Sequence, residues 1–221
     1  MLPSSTVENY LKTLHQAEAS MGDGTLVPMG QLASAVGVAP GTATTMVKAL
    51  AESGLVEYEP YVGVRLSSAG SKLATLVLRR HRLIEQFLVE VMGMSWADVH
   101  EDAEQLEHVV SDRLVDRMDA MLGHPAVDPH GDPIPTADGA MADSDYHSLL
   151  TCPLRTPVTV TRVTDQDSSF LRFLEAQELK PGQSIEVENR NAAADSVQVL
   201  AGKRRVTIGT NAASKVLVEI L

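Results

Sequence analysis

The sequence predicts a mainly α-helical fold with a small β domain: a winged helix-turn-helix, then a helical middle, then a small, partly open β-barrel. Three observations predict it. Apolar residues recur at helical spacing over residues 5–53 and again over residues 69–122. Two short alternating runs, Leu55–Pro60 and Val64–Leu66, interrupt them. Beyond residue 145, short β-type runs alternate with turn signals. With 44% hydrophobic but only 4% aromatic residues, the cores must be aliphatic, as in largely helical proteins. At 221 residues the chain can hold one large domain or two to three small ones.

Residues 5–20 read as a helix capped by Ser5 or Thr6, with Val7, Tyr10, Leu11 and Leu14 at helical spacing, and Met21-Gly22-Asp23-Gly24 breaks it. Pro28 and Met29 open a short helix ending at Gly37, and a second runs from Pro40 to Ser53 before Gly54. Two short helices joined across Gly37-Val38-Ala39 make the helix-turn-helix pattern, and the hairpin turning at Tyr61-Val62-Gly63 is its wing. Ser67 or Ser68 caps a long helix from Ala69 to Met92, which Gly93 stops, and Ser95 caps another that continues to Leu122. Residues 123–145 are rich in Pro and Gly and read as a linker. Runs at 158–163, 184–187, 197–200, 204–208 and 216–220 read as strands, with helix at Phe170–Glu178 between the first two. The expected domains are therefore 1–75, 76–145 and 146–221.

The net charge of −11 is concentrated. Residues 1–75 carry 4 Lys/Arg against 6 Asp/Glu, residues 76–145 carry 5 against 15, and residues 146–221 carry 9 against 8. No basic patch lies in residues 1–75, which argues against tight non-specific nucleic-acid binding. No apolar run approaches the ~20 residues needed to cross a bilayer. Met1-Leu2-Pro3-Ser4-Ser5 lacks a basic start followed by an apolar stretch, so neither a signal peptide nor a membrane partner is expected. The single cysteine, Cys152, cannot form an internal disulfide and fits a reducing cytoplasm, as a structural rather than a catalytic thiol.

Most of the excess acid accompanies a run of metal-capable side chains. On a helix spanning residues 95–122, at ~100° per residue, His100, Glu104, Glu107 and His108 fall within an arc of roughly 100°. One helix upstream, His81 and Glu85 share a face at i, i+4. A solvated acidic face with incidental histidines is the bland alternative, but it does not explain so many liganding types on one stripe. Imidazole with carboxylate and no thiolate suits a first-row divalent ion such as Mn(II) or Fe(II). His15, His124, His130 and His147 have no such company and are read as incidental.

In the helix-turn-helix, the segment from Ala39 through Pro40-Gly41-Thr42-Ala43-Thr44-Thr45 places small and hydroxyl-bearing residues at a helix N-terminus. Ala39 and Gly41 permit close approach to a duplex, backbone N–H groups can hold a phosphate, and Thr42, Thr44 or Thr45 can meet base edges. For each threonine, simple capping or surface solvation is an equally good reading. Lys48 and Arg65 are the candidate phosphate partners. There is no nucleophile elbow, no Gly-rich phosphate loop and no Cys-x-x-Cys pair, so an enzyme is not expected.

The order of parts, with Arg80-His81-Arg82-Leu83-Ile84-Glu85, then Glu104-Gln105-Leu106-Glu107-His108-Val109-Val110-Ser111-Asp112, His124-Pro125 and His130-Gly131-Asp132-Pro133-Ile134-Pro135, resembles the diphtheria-toxin-repressor family of iron- and manganese-dependent regulators. The resemblance runs from about Ser5 to Pro135, and the C-terminal barrel is similar to the SH3-like (FeoA-like) domain of its longer members. It implies a helical dimerisation and metal-binding domain in the middle. One metal site would use Glu104, Glu107 and His108 with Asn9 of the first helix, and another His81, Glu85 and His100 with Asp165 and Asp167 of the SH3-like domain. Iron-type members have Cys in place of Glu104 and Met in place of Asn9. Manganese-type members usually have Asp at Asn9, and a two-manganese cluster needs Glu where this chain has Lys12. Two separated ions per subunit, Mn(II) or Fe(II), are therefore expected. The implied function is a cytoplasmic, homodimeric, metal-activated repressor of metal-uptake genes that binds a double-stranded DNA operator. Manganese is favoured and iron is the alternative; a metal-dependent hydrolase is a remote third.

Overall fold

Ser4, one residue before the expected cap, starts the first helix: its side chain accepts from the Val7 N–H at 3.5 Å, and α1 runs Ser5–Met21. The computed structural model describes residues 4–22, 25–141 and 146–220. The extreme N-terminus, the Asp23-Gly24 half of the expected break, the end of the 76–145 segment and Leu221 lie outside the described residues. Contacts divide the chain into two compact units, one up to Arg80 together with Pro135–Ala140, the other His81–Ile134 with the chain from Met141 onward.

In the first unit, α2 (Met29–Val36) ends at Gly37, whose φ of 75° is the left-handed cap conformation, and α3 (Pro40–Glu52) starts with Pro at its first turn. Tyr10, Leu11 and Leu14 of α1, Leu32 and Ala33 of α2, and Ala43, Val47 and Leu50 of α3 bury one core. The wing follows as expected: β1 (Val56–Glu59) pairs antiparallel with β2 (Gly63–Leu66), and Val27 bridges to Val64. Ser67 Oγ then accepts from Gly70 N–H at 3.1 Å and opens α4 (Ser68–Glu90). The unit boundary falls inside α4.

In the second unit, the single helix expected over residues 95–122 is two: α5 (Val99–Leu106) and α6 (Asp112–Met121), separated by a turn in which Ser111 takes an extended N-cap conformation. The β-branched pair Val109-Val110 is a poor helix former. Breaking the helix lets Val110 pack beside Ile84, Val99 and Ala103 on one side and Leu83, Val115 and Ile134 on the other. The break also turns Glu107 fully inward.

The C-terminal sheet has the order β3-β8-β4-β5-β6-β7, every pairing antiparallel. Its strands are β3 (His147–Ser148), β4 (Pro157–Val163), β5 (Ser184–Asn191), β6 (Ser196–Ala201), β7 (Arg204–Gly209) and β8 (Val216–Ile220). Bulges at Val160/Arg162 and Val187/Asn189 bend it. Five strands match the sequence reading; β3 and the short helix α8 (Thr210–Ser214) were not legible, each too short to show a period. The helix expected at Phe170–Glu178 starts earlier, as α7 (Ser168–Ala176), capped by Asp167.

The linker is no loose tether. Asp128, His130 and Asp132 are buried, and Asp128 Oδ1 accepts from the backbone N–H groups of His130 (2.8 Å) and Asp132 (2.9 Å), closing a tight turn. Val163 N–H donates to the His130 carbonyl at 2.8 Å, seating the turn along β4. Gly131 makes this possible: its φ is 85°, and a Cβ there would lie 1.8 Å from the Thr161 carbonyl oxygen. Gly131→Ala is expected to cost about 3 kcal/mol or more in urea unfolding. A loss below about 1 kcal/mol would show that the turn is not held against β4.

Candidate metal centre

The centre is built from three stretches of the second unit. Helix α4 presents His81 and Glu85 one turn apart, 4% and 0% exposed. From α5 come His100 and Glu104, and from the turn after it Glu107 and His108. The linker adds Asp128 and His130.

His81 stands in the middle. Its Nδ1 is 2.6 Å from Glu107 Oε2 and 3.8 Å from Glu104 Oε1; its Nε2 is 3.0 Å from Glu85 Oε1 and 3.2 Å from His100 Nδ1. His100 Nδ1 lies 3.1 Å from Glu85 Oε1 and its Nε2 3.7 Å from Glu104. His108 Nε2 is 3.6 Å from Glu107 Oε1. The other face of Glu85 meets the linker: Oε2 is 3.8 Å from His130 Nδ1, which is 3.9 Å from Asp128 Oδ1. Among the described residues two groups of potential ligands result, His81/His100/Glu104 and the buried Glu85/Asp128/His130, the ligand atoms of each lying within 4.8 Å of one another.

The second group fits a divalent cation on chemical grounds. His130 Nε2 lies 2.8 Å from the Trp96 carbonyl, which can only accept, so the proton sits on Nε2. Its Nδ1 faces the carboxylates, 3.8 Å from Glu85 Oε2 and 3.9 Å from Asp128 Oδ1. His130 Nδ1, Glu85 Oε2 and Asp128 Oδ2 are buried with no hydrogen-bond partner. Burial, with the charges of Asp132 and Glu85 close by, drives the Asp128 carboxyl well above the ordinary range, against the opposing pull of Arg82. Burial also works against ionised Glu85, but the bonds from His100 and His81 and the His81 and His130 charges outweigh it and hold its carboxyl below the ordinary range. Buried carboxylates facing an imidazole nitrogen are a donor set that suits an oxygen- and nitrogen-preferring ion.

His130, expected from the sequence to have no liganding company, stands in the structure beside Glu85 and Asp128, and Asp128 had no place among the expected ligands. Their only sequence signal is Asp-Pro-His-Gly-Asp, two residues of spacing inside a stretch dominated by breakers. The helical-stripe argument holds for His100 and Glu104 alone, because Glu107 and His108 follow the end of α5. Asn9 lies on α1 in the first unit; its Oδ1 is buried without a partner, and it lines a cleft of about 350 Å³ with Thr6, Tyr10, Thr42 and Thr45. The structure does not bring Asp165 and Asp167 to either group. Lys215 Nζ, 2.6 Å away, holds the Asp165 carboxyl low, and Asp167 caps α7 by accepting from Ser169 Oγ and from Phe170 N–H at 3.0 Å. Between them, Gln166 donates to Asp132 at 2.9 Å.

On α3, Ala39 is the N-cap, Gly41, Thr42, Thr45 and Lys48 are exposed, and Thr44 is half-buried. Thr44 and Thr45 donate their hydroxyls back to the Pro40 and Gly41 carbonyls at 2.8 and 3.0 Å. Arg65 is paired with Glu57 across the wing at 2.6 Å.

A winged helix, a His/carboxylate centre on the adjoining helices and a small β domain together define a metal-responsive DNA-binding regulator. Family models agree in the same order: the iron-dependent repressor N-terminal DNA-binding domain matches residues 3–64, its metal-binding and dimerisation domain residues 67–136, and the FeoA domain residues 147–220. The chain is 37% identical to a manganese-dependent transcriptional repressor solved in complex with manganese, with 97% of this chain and 100% of that one covered and a TM-score of 0.86. It is 28% identical to ScaR with bound Zn2+, over 97% of this chain and 99% of that one, TM-score 0.80. The iron-dependent repressor IdeR of Mycobacterium leprae is 27% identical, covering 97% and 96% of the two chains. The chain belongs to the diphtheria-toxin-repressor family of metal-dependent transcriptional repressors, in the long form with an SH3-like C-terminal domain.

His130→Ala is expected to weaken Mn(II) binding by at least about tenfold in calorimetric titration, while His124→Ala, on a largely exposed ring, leaves it unchanged. Equal isotherms for the two variants would remove His130 from the centre.

Proposed function

We propose that this chain is a cytoplasmic, homodimeric repressor of metal-uptake genes that binds its DNA operator when Mn(II) occupies the centre. The observation that carries this is the trio of buried, unpartnered atoms on Glu85, Asp128 and His130. A bound divalent ion would supply the positive charge those groups lack. Glu85, Asp128 and His130 would hold one ion. Glu104, Glu107 and His108, with His81 and His100 beside them, would hold a second, completed by Asn9 of α1 as the family resemblance implies. Asn9 sits on the same cleft as Thr42 and Thr45, so tying it down would act on the helix that meets the DNA. Only tighter ion binding to the DNA-competent arrangement can shift the population toward it. Among the described residues no helix is long and apolar enough to cross a membrane, which agrees with a protein that works on DNA.

Manganese is favoured because every proposed ligand is oxygen or nitrogen, whereas a thiolate or thioether would raise relative affinity for later metals. Iron(II) stands above Mn(II) in intrinsic affinity at any one site, so the preference is modest and availability supplies the rest. The similar repressor solved with manganese supports this reading.

In gel-shift assays on the chain's own promoter, binding is expected with Mn(II) and lost with chelator. Glu107→Ala or His108→Ala should abolish it, and His100→Ala should raise the Mn(II) needed. Metal-independent binding would defeat the proposal. Anaerobically, Glu104→Cys should shift activation toward Fe(II); activation of the unmodified protein by far less free Fe(II) than Mn(II), with Glu104→Cys neutral, would overturn the manganese assignment.

A further inference from the structure

Arg82 lies next to Glu85's partners but belongs to neither group of potential ligands. It is 8% exposed, and its Nη1 donates to the Pro133 carbonyl at 2.5 Å. Its Nε lies 3.6 Å from Asp128 Oδ2, the carboxylate oxygen left without a hydrogen bond, and its Nη2 lies 3.9 Å from Asp132 Oδ1. Asp132 is also held by Arg162 Nε at 2.5 Å. We propose that Arg82 is an internal counter-cation that competes with the metal for Asp128 and so sets the affinity of the Glu85/Asp128/His130 site. This rests on the metal-site reading above and concerns how tightly that site binds.

Charge sets the direction. Asp128 and Asp132 face the guanidiniums of Arg82 and Arg162, while Glu85 is served by His81 and His100. Buried charge must be compensated, and Asp128 already has a fixed cation beside it. A divalent ion taken up by Asp128 would sit close to that cation, which repels it. Without Arg82 the ion itself would be the compensating charge for Asp128. The guanidinium cannot shed its charge, so it opposes the ion at every pH at which the protein is folded. Part of the binding energy is spent displacing its hold on Asp128. An arginine placed only to support the linker turn would act with the opposite sign, because removing it would loosen Asp128 and weaken binding.

The test is Mn(II) titration of the purified full chain by calorimetry. Arg82→Gln is expected to bind about tenfold more tightly than the unmodified protein, and Arg82→Lys, which keeps the charge, to bind as before. The metal-induced rise in melting temperature should be larger in Arg82→Gln. If that variant does not fold, Arg162→Gln decides: it removes the same charge from a side chain 32% exposed and should tighten binding in the same direction by a smaller factor. Unchanged or weaker binding in the variant that folds would overturn the proposal. His130→Ala separates the two levels. If it leaves Mn(II) binding intact, the site reading itself fails; if it weakens binding while Arg82→Gln does not tighten it, only the role of Arg82 fails.

Discussion

The helical part of the second unit and its linker are arranged around the cost of burying carboxylates. Glu85 and Glu107 are fully buried, and Asp128 and Asp132 nearly so. Each would stay in water if it could, because burying a charge is expensive unless it is paired. Here the pairing comes from histidines as much as from arginines: His81 and His100 serve Glu85 and Glu107, while Arg82 and Arg162 serve Asp128 and Asp132. The set is left with unpartnered polar atoms on Glu85, Asp128 and His130. A protein that needed only stability would replace such a cluster with apolar side chains. One that must respond to a cation keeps it.

That need accounts for otherwise awkward local structure. The break between α5 and α6 gives up helical hydrogen bonds, yet it brings Glu107 in to His81. The linker abandons the surface position usual for a Pro/Gly-rich segment. It runs against β4, with Gly131 in a left-handed conformation where no side chain would fit. Both irregularities deliver side chains to the same place. Trp96, its ring 5.7 Å from His130 and its backbone carbonyl accepting a hydrogen bond from Nε2, then fixes which nitrogen faces the carboxylates.

Most of the fold was legible in the sequence because periodicity and capping are local. Leu11 and Leu14, Ala43 and Val47, and the Gly37 stop all sit where the helical pattern placed them. The wing followed from two alternating runs around one turn. Illegible were the features decided by tertiary contact: the helix break, where Val110 packs into two clusters at once, and the descent of Asp128 and His130 into the core. Nothing in Asp-Pro-His-Gly-Asp says that its turn will be buried; only the seat on β4 does. The centre was therefore half-readable. His81, Glu85, His100 and Glu104 announce themselves by helical spacing, whereas Asp165, adjacent in family pattern, is taken by Lys215.

Glu85, Asp128 and His130 are proposed to hold a divalent ion. Crystals grown with Mn(II) and measured at the manganese absorption edge test it most directly. The account predicts an anomalous peak bounded by the Glu85 and Asp128 carboxylates and His130 Nδ1. An occupied crystal with manganese only at surface acids such as Glu101 and Asp102, and none among these three residues, would contradict it.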